Sequence, residues 1–406
     1  MMARNLLVLL SGAGLAQIIT LAALPLLSRL YDPVSFGQLG AVMAVVSLAT
    51  VVVHGRYHMA IPVSDNEDTA RALLVASIIF SAILSLPAVA IMLYLFGGLP
   101  EGMALWTFLL TAGALTLFSA LIDILSYWRS HRGRFGASAR NGAARAALTA
   151  SAQIVLSKLS AMGMLIGTVI GTLMAVALAL RDLLRRDEEP LARRPLREIL
   201  QVARDYHSYP LYGVPQGWLA AVSWNAMPLL LLRFSGTAIA GQYWIAYRVL
   251  IAPLTLFNGA YRQSTLPLLR NQPPEQARLL VARHTKFILL LALIPLAVLA
   301  ALGEQLFSLA MGAQWDEAGQ IAGWMAAGIL ADLFKVPTLC LLQSQGRNRT
   351  ILWWEAGILI ARYSSAIPFL AANNASLAII LFSCVGLLGW SLFTTIQLLP
   401  LKSPQD

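Results

Sequence analysis

The sequence predicts an all-α polytopic membrane protein of about twelve transmembrane helices, arranged as two six-helix halves around a central cavity. Three observations carry that expectation. Apolar residues make up 58% of the 406-residue chain and charged residues 12%, with a mean hydropathy of +0.71, a balance that no soluble class shows. Stretches of about 20 apolar residues, the length that crosses a bilayer core, recur with approximate centres at 16, 47, 83, 115, 152, 172, 222, 248, 294, 329, 361 and 388. Two segments also echo each other: at a separation of 204 positions, Arg29 falls on Arg233, Gly37-Gln38 on Gly241-Gln242, Gly55 on Gly259 and Tyr57 on Tyr261. The echo continues into the next helix, where Pro87-Ala88-Val89 answers Pro295-Leu296-Ala297-Val298. The halves are read as residues 1–180 and 210–406, joined by a polar linker over 181–209.

The net charge of +10 raises the question of nucleic acid, and the positions of the charges decide it. With the N-terminus placed in the cytoplasm, 23 Lys and Arg fall in inside segments and only Arg29, Lys158 and Arg233 in outside ones. That is the positive-inside asymmetry. It places both termini in the cytoplasm and calls for no nucleic-acid partner.

Taken in order, the run after Met1-Met2-Ala3-Arg4 is too long for a signal-peptide core and reads as the first spanning helix. Asp32-Pro33 and Gly37 make an outside turn, and helix two ends at a polar inside return, HGRYHMAIPVSDNEDTA. GGLPEGMA is the outer turn between helices three and four. The loop YWRSHRGRFGASARNGAAR after Asp123 is basic, and an inside position suits it to anionic headgroups. The fifth helix is expected to be short. Gly163, Gly167 and Gly171 at four-residue spacing let helix six approach a neighbour closely. In the linker, Leu196, Ile199, Leu200 and Ala203 share a helical face, so this piece is expected to lie along the inner membrane surface. Pro210, Gly213 and Pro215 predict a bent or broken entry to helix seven. The longest outer loop is Gly303 to Gly319, 17 residues, and Cys340 and Cys384 lie in apolar segments as packing residues.

LYDPVSFG, followed one helix later by GRYHMAIP, is similar to the signature of the bacterial polysaccharide flippases, within the multidrug/oligosaccharidyl-lipid/polysaccharide exporter superfamily. GQYWIAYRVLIAPLTLFNGAYRQSTLP resembles the eighth helix of the same family. The resemblance implies transport of polyprenyl-pyrophosphate-linked glycan for surface polysaccharides such as lipopolysaccharide or exopolysaccharide. It also implies a bacterial inner-membrane location, membrane lipids and other polysaccharide-assembly membrane proteins as partners, and no cofactor. The family commonly carries an acid after the Arg-Tyr pair; here the position is His58.

The chain holds no Walker A, HExxH, CxxC or GxSxG motif, so an enzyme is not expected. Arg248 and Arg362 lie about 15 Å into their helices at 1.5 Å per residue, near the midplane. A buried charge there costs roughly 2.5–3.5 kcal/mol on insertion scales, so each needs an ion pair or a ligand. One reading pairs them with Asp123, Asp332 or Glu355, or with backbone carbonyls. The other makes Arg248, Arg362 and Arg56 the lining of a cavity that forks onto pyrophosphate oxygens, with Asp332, Lys335, Glu355, Asp123 and His58 as coupling or ion-pairing groups. Asp332 and Lys335, three apart, can pair on one helix. A multidrug cation antiporter would need acids at mid-depth instead. A membrane glycan polymerase or ligase would need a long outer loop.

Overall fold

The computed structural model describes residues 2–64, 66–96, 98–186 and 195–399. Among the basic residues of the expected inside set, Arg193, Arg194 and Lys402 lie outside the described residues, as do the side chains of Arg4 and Arg186 and the middle of the linker, 187–194. Every regular element among the described residues is helical: α1 Met2–Leu30, α2 Pro33–Val53, α3 Glu67–Phe96, α4 Leu105–His131, α5 Phe135–Val155, α6 Ser160–Arg186, α7 Leu196–Asp205, α8 Val214–Ser235, α9 Thr237–Arg270, α10 Pro274–Met311, α11 Asp316–Ser344, α12 Asn348–Ala371 and α13 Ala375–Leu398. Among the described residues seven stretches, in α2, α3, α4, α6, α10, α11 and α13, are long and apolar enough to cross a membrane. The chain is a multi-pass membrane protein. Helices α5, α9 and α12 are comparably long but carry Arg140 and Arg145, Arg248, and Glu355 with Arg362.

By contact the chain falls into two compact units, Met1–Trp244 and Ile245–Asp406. This packing boundary differs from the repeat boundary read at the linker, because α8 packs on α2 inside the first unit.

The first unit is locked at one end by small residues. Asp32 caps α2 by accepting a hydrogen bond from the Ser35 amide at 2.9 Å, with Pro33 at the first helical position. A Cβ on Gly37 would overlap the Thr237 carbonyl, and one on Gly241 would overlap the Pro33 carbonyl. Thr237 follows Pro33 by 204 positions and Gly241 follows Gly37 by the same 204. The contact is therefore reciprocal, each repeat's glycine seated on the other repeat's helix start. Gln38 Nε2 donates to the Glu101 carbonyl at 2.7 Å, and the Glu101 amide donates to Thr237 Oγ1 at 2.9 Å, closing this end. The glycine stripe on α6 works as its spacing predicts: Gly163, Gly167 and Gly171 seat directly on Leu156, Gln153 and Thr149.

At the other end of the unit, ion pairs tie the helix termini. Glu67 of α3 accepts from Arg132 and Arg71 and meets His131 at 3.4 Å, while Arg129 of α4 meets Asp182 of α6 at 3.4 Å. Beneath them lies a core of Ile61, Leu73, Leu74, Leu125, Trp128 and Leu183, onto which α7 sets Ala203. Helix α7 is amphipathic, with Ile199 and Ala203 buried and Leu196 and Leu200 exposed. The entry to α8 is a π turn at Tyr209–Gly213, the break that Pro210 and Gly213 predict.

In the second unit, Gly303 and Gly319 bring the backbones of α10 and α11 together, so most of the expected outer loop is helix. Helices α11, α12 and α13 pack around Phe334, Leu339, Trp390 and Phe393, and free Cys340 is a buried packing residue. Helix α10 exposes Phe287, Leu290, Leu291 and Ile294, an apolar surface that suits lipid.

Candidate functional site

Two consecutive residues create the site's central side chain. Gly55 and Arg56 both take positive φ, 55° and 57°, which stops α2 and turns the chain into a short 3-10 helix, Tyr57–Val63. Glycine adopts that conformation freely, whereas arginine does so at a cost of about 1–2 kcal/mol. The turn returns the Arg56 side chain beside the helix it has just left. Its guanidinium lies against Gly217 of α8, where a Cβ would overlap Nη2 and Cζ.

This return forms one wall of a cavity of about 470 Å³ within the first unit. Helix α2 contributes Met43, Ser47 and Thr50, the return His54, Arg56, His58 and Met59, helix α4 Ser119, Asp123 and Tyr127, and helix α5 Arg145. The α4 residues are four apart and so share a face. His54 and His58 face each other with ring centroids 4.0 Å apart, and His58 meets the Tyr127 ring edge-on at 4.8 Å. Arg56 Nη1 reaches Met59 Sδ at 3.3 Å. Among the described residues Arg56 Nε and His58 Nδ1 are buried without a hydrogen-bond partner. Burial, then the Arg56 charge, lowers the His58 pKa to about 4. Burial, then His58 and Arg56, lowers that of His54 to about 2. Both rings are thus neutral at pH 7, and burial also lowers the pKa of Arg56 itself. Asp123 lies within electrostatic range of Arg145 and Arg56, so the cavity carries two guanidiniums against one carboxylate.

Of the residues singled out in the sequence, the structure brings Arg56, His58 and Asp123 together in this cavity. The sequence places Arg145 in the basic loop after Asp123. It lies instead on α5, ten residues past Phe135, because the polar start FGASARNGAAR is helix and not loop. The fifth helix is accordingly centred near 145 and not near 152. The sequence reading also passes over His54 and Tyr127, although Ser47 and Thr50 on α2 with His54 just past its end, and Ser119, Asp123 and Tyr127 on α4, form polar stripes at helical spacing.

The remaining residues lie in the second unit, and neither Arg248 nor Arg362 lines this cavity. Arg248 is half-buried on α9 and partnered. Arg362 is 8% exposed. Its Nε donates to the Phe382 carbonyl at 3.0 Å, and its guanidinium stacks 3.8 Å from the Phe382 ring centroid. Gly328 and Gly386 leave the space it fills. Asp332 and Lys335 form the intrahelical ion pair that their spacing predicts, with Lys335 Nζ 4.4 Å from the Trp390 ring centroid. Glu355 lies in electrostatic range of Lys335, Arg262 and Asp332. Among the described residues no group of His, Cys, Asp and Glu could hold a metal ion.

The model of one protein family, described as polysaccharide biosynthesis protein, matches residues 26–320. Solved structures share the fold at low identity. The Lipid II flippase MurJ in an inward closed conformation superposes with a TM-score of 0.73 at 12% identity, over 94% of this chain and 86% of that one. An inward-facing multidrug resistance MATE family transporter of the MOP superfamily gives 0.62 at 15% identity, over 96% and 94%. A MOP superfamily transporter from Pyrococcus furiosus, described by the reverse polarity of its binding pocket, gives 0.59 at 16% identity, over 97% and 95%. No curated protein matches the sequence.

Proposed function

The chain belongs to the polysaccharide biosynthesis protein family, and from that premise we propose that it is a flippase. It carries polyprenyl-pyrophosphate-linked oligosaccharide from the cytoplasmic to the outer leaflet of the bacterial inner membrane. Two six-helix halves, α1–α6 and α8–α13, do this by alternating access, with both termini in the cytoplasm.

The observation that carries the proposal is the sign of the cavity in the first unit. Arg56 and Arg145 outnumber Asp123 there, and guanidinium stays charged and forks onto phosphoryl oxygens. A headgroup crosses in the water-filled space while its lipid tail stays in the bilayer. Arg56 stands just past the end of α2 and is the first contact; Arg248 and Arg362 of the second unit offer the pyrophosphate the same guanidinium chemistry. The same charge argues against a multidrug cation antiporter, which would place the excess on carboxylates. A glycan polymerase or ligase would need reactive groups on an outer loop, and the longest outer loop expected from the sequence is mostly helix.

The test is glycan export in a strain lacking this protein, with the membrane abundance of each variant measured alongside. Arg56→Ala is expected to abolish export at normal abundance and Arg56→Lys to retain part of it, since a point charge attracts phosphate without the fork. Normal export by Arg56→Ala, Arg248→Ala and Arg362→Ala together would rule out these arginines as the path.

A further inference from the structure

The cavity's charges are unusual in being close but unbonded. Asp123 and Arg145 both line it, yet among the described residues neither makes a hydrogen bond or an ion pair within 4 Å, although each lies in the other's field. Arg56 likewise spends its guanidinium on a weak thioether acceptor and leaves Nε without one. Paired structural charges in a membrane protein close on each other, as Asp332 and Lys335 do in the second unit. Here three ionised side chains are held around an open volume of about 470 Å³, large enough for a phosphoryl group and its water. With both histidines neutral, the sum is one net positive charge.

We propose that this cavity is a binding site for a phosphoryl oxyanion in which Asp123 is the resident counter-ion of Arg56 and Arg145. An entering diphosphate takes the two guanidiniums from the carboxylate's field, and a departing one returns them to it. The carboxylate lowers the cost of two cations in the empty cavity, and it keeps the bound state shallow enough for release. Asp123 is therefore a positioning residue that tunes affinity through the arginines. The lipid-borne identity of the ligand rests on the flippase reading; the site itself does not.

The experiment is calorimetric titration of the full-length protein in lipid nanodiscs, first with inorganic pyrophosphate in solution and then with a polyprenyl diphosphate loaded into the disc. Removing a full opposing charge a few ångströms from the ligand is worth roughly tenfold or more at an effective dielectric near 20. Asp123→Asn is thus expected to bind pyrophosphate about tenfold tighter while exporting glycan more slowly than wild type. Asp123→Glu keeps the charge and is expected to stay near wild type. Arg145→Gln is expected to weaken binding by about tenfold or more.

A structural role for Asp123 would not tighten binding, so unchanged or weaker pyrophosphate affinity in folded Asp123→Asn overturns the counter-ion role. Undiminished binding by Arg145→Gln overturns the site. If these variants do not perturb lipid diphosphate binding while wild type still exports glycan, this inference falls and the flippase reading stands. If pyrophosphate binds with the expected variant pattern but the lipid diphosphate does not bind at all, the site stands, its ligand is a soluble phosphate compound, and the flippase reading falls.

Discussion

Arg56 is set by its neighbours more than by its own preferences, and that gives a substitution whose two effects separate. A methyl group at Gly217 would occupy the place of the guanidinium, but the displaced group is the far end of a flexible side chain, so the backbone need not move. Gly217→Ala is expected to leave the thermal midpoint within a few degrees of wild type and yet cut glycan export severalfold. Equal loss of stability and export would show that the contact is packing alone. The histidines give a pH dependence of known sign. The folded-state pKa values, about 4 for His58 and about 2 for His54, lie below the 6.5 of an unperturbed ring. Above pH 6.5 both states are neutral and nothing changes. As pH falls from there towards 4, the unfolded chain binds protons that the folded chain refuses, so stability falls across that window. Thermal unfolding in detergent is expected to show the decline and His58→Asn to flatten it; an unchanged slope would contradict the buried neutral ring. At this scale the sequence was half legible. Arg56, His58 and Asp123 stood out as charges or motif positions, whereas Arg145 hid in a polar, Arg-rich stretch whose Ala and Gly content gives loop and helix the same composition.

At the scale of helices, the two repeats share a start and then diverge. Helix α2 begins at Pro33 and α9 at Thr237, and the reciprocal seating of Gly37 and Gly241 is the physical reason those glycines coincide in the echo. Backbone carbonyls cannot swing aside as a side-chain tip can, so Gly37→Val and Gly241→Val are each expected to cost about 1–3 kcal/mol by overpacking. The readout is the midpoint of thermal unfolding, and wild-type midpoints for both would contradict the seating. The echo also pairs Gly55 with Gly259, but only Gly55 turns: α9 runs through to Arg270 while α2 stops at Val53. Sequence identity marked both glycines and could not tell which one breaks its helix. Arg362 belongs to this scale as well, since it bridges α12 to α13 through the Phe382 carbonyl and ring. Arg362→Met keeps the bulk and loses the charge and the bond. It is expected to abolish export and to lower stability by about 0.5–1.5 kcal/mol as one hydrogen bond to the Phe382 carbonyl is lost, and a destabilised variant with normal export would assign Arg362 to packing alone.

For the whole molecule, composition and the recurrence of apolar stretches were enough to reach an all-helical multi-pass protein, because a bilayer forces every backbone amide into internal hydrogen bonds and so ties hydropathy to helix. The amphipathic α7 and the broken entry to α8 were legible for the same reason: face periodicity and Pro-Gly punctuation are local signals. The division into units was not, since it depends on α8 packing against α2, a contact between segments far apart in sequence. The cavity of the first unit was not legible either, because depth along a helix singles out Arg248 and Arg362, while this cavity is made by three helices and a turn that only the fold brings together. In the proposed function this cavity serves an anionic, lipid-linked headgroup. Its most direct test is translocation by the purified protein in proteoliposomes, comparing a polyprenyl-pyrophosphate-linked oligosaccharide with fluorescent organic cations, in wild type and in Arg56→Ala with Arg145→Gln. Wild type is expected to move the lipid-linked glycan across the bilayer, the double variant is not, and neither is expected to move the cations. Transport of the cations, or glycan translocation undiminished by loss of both arginines, would contradict that function.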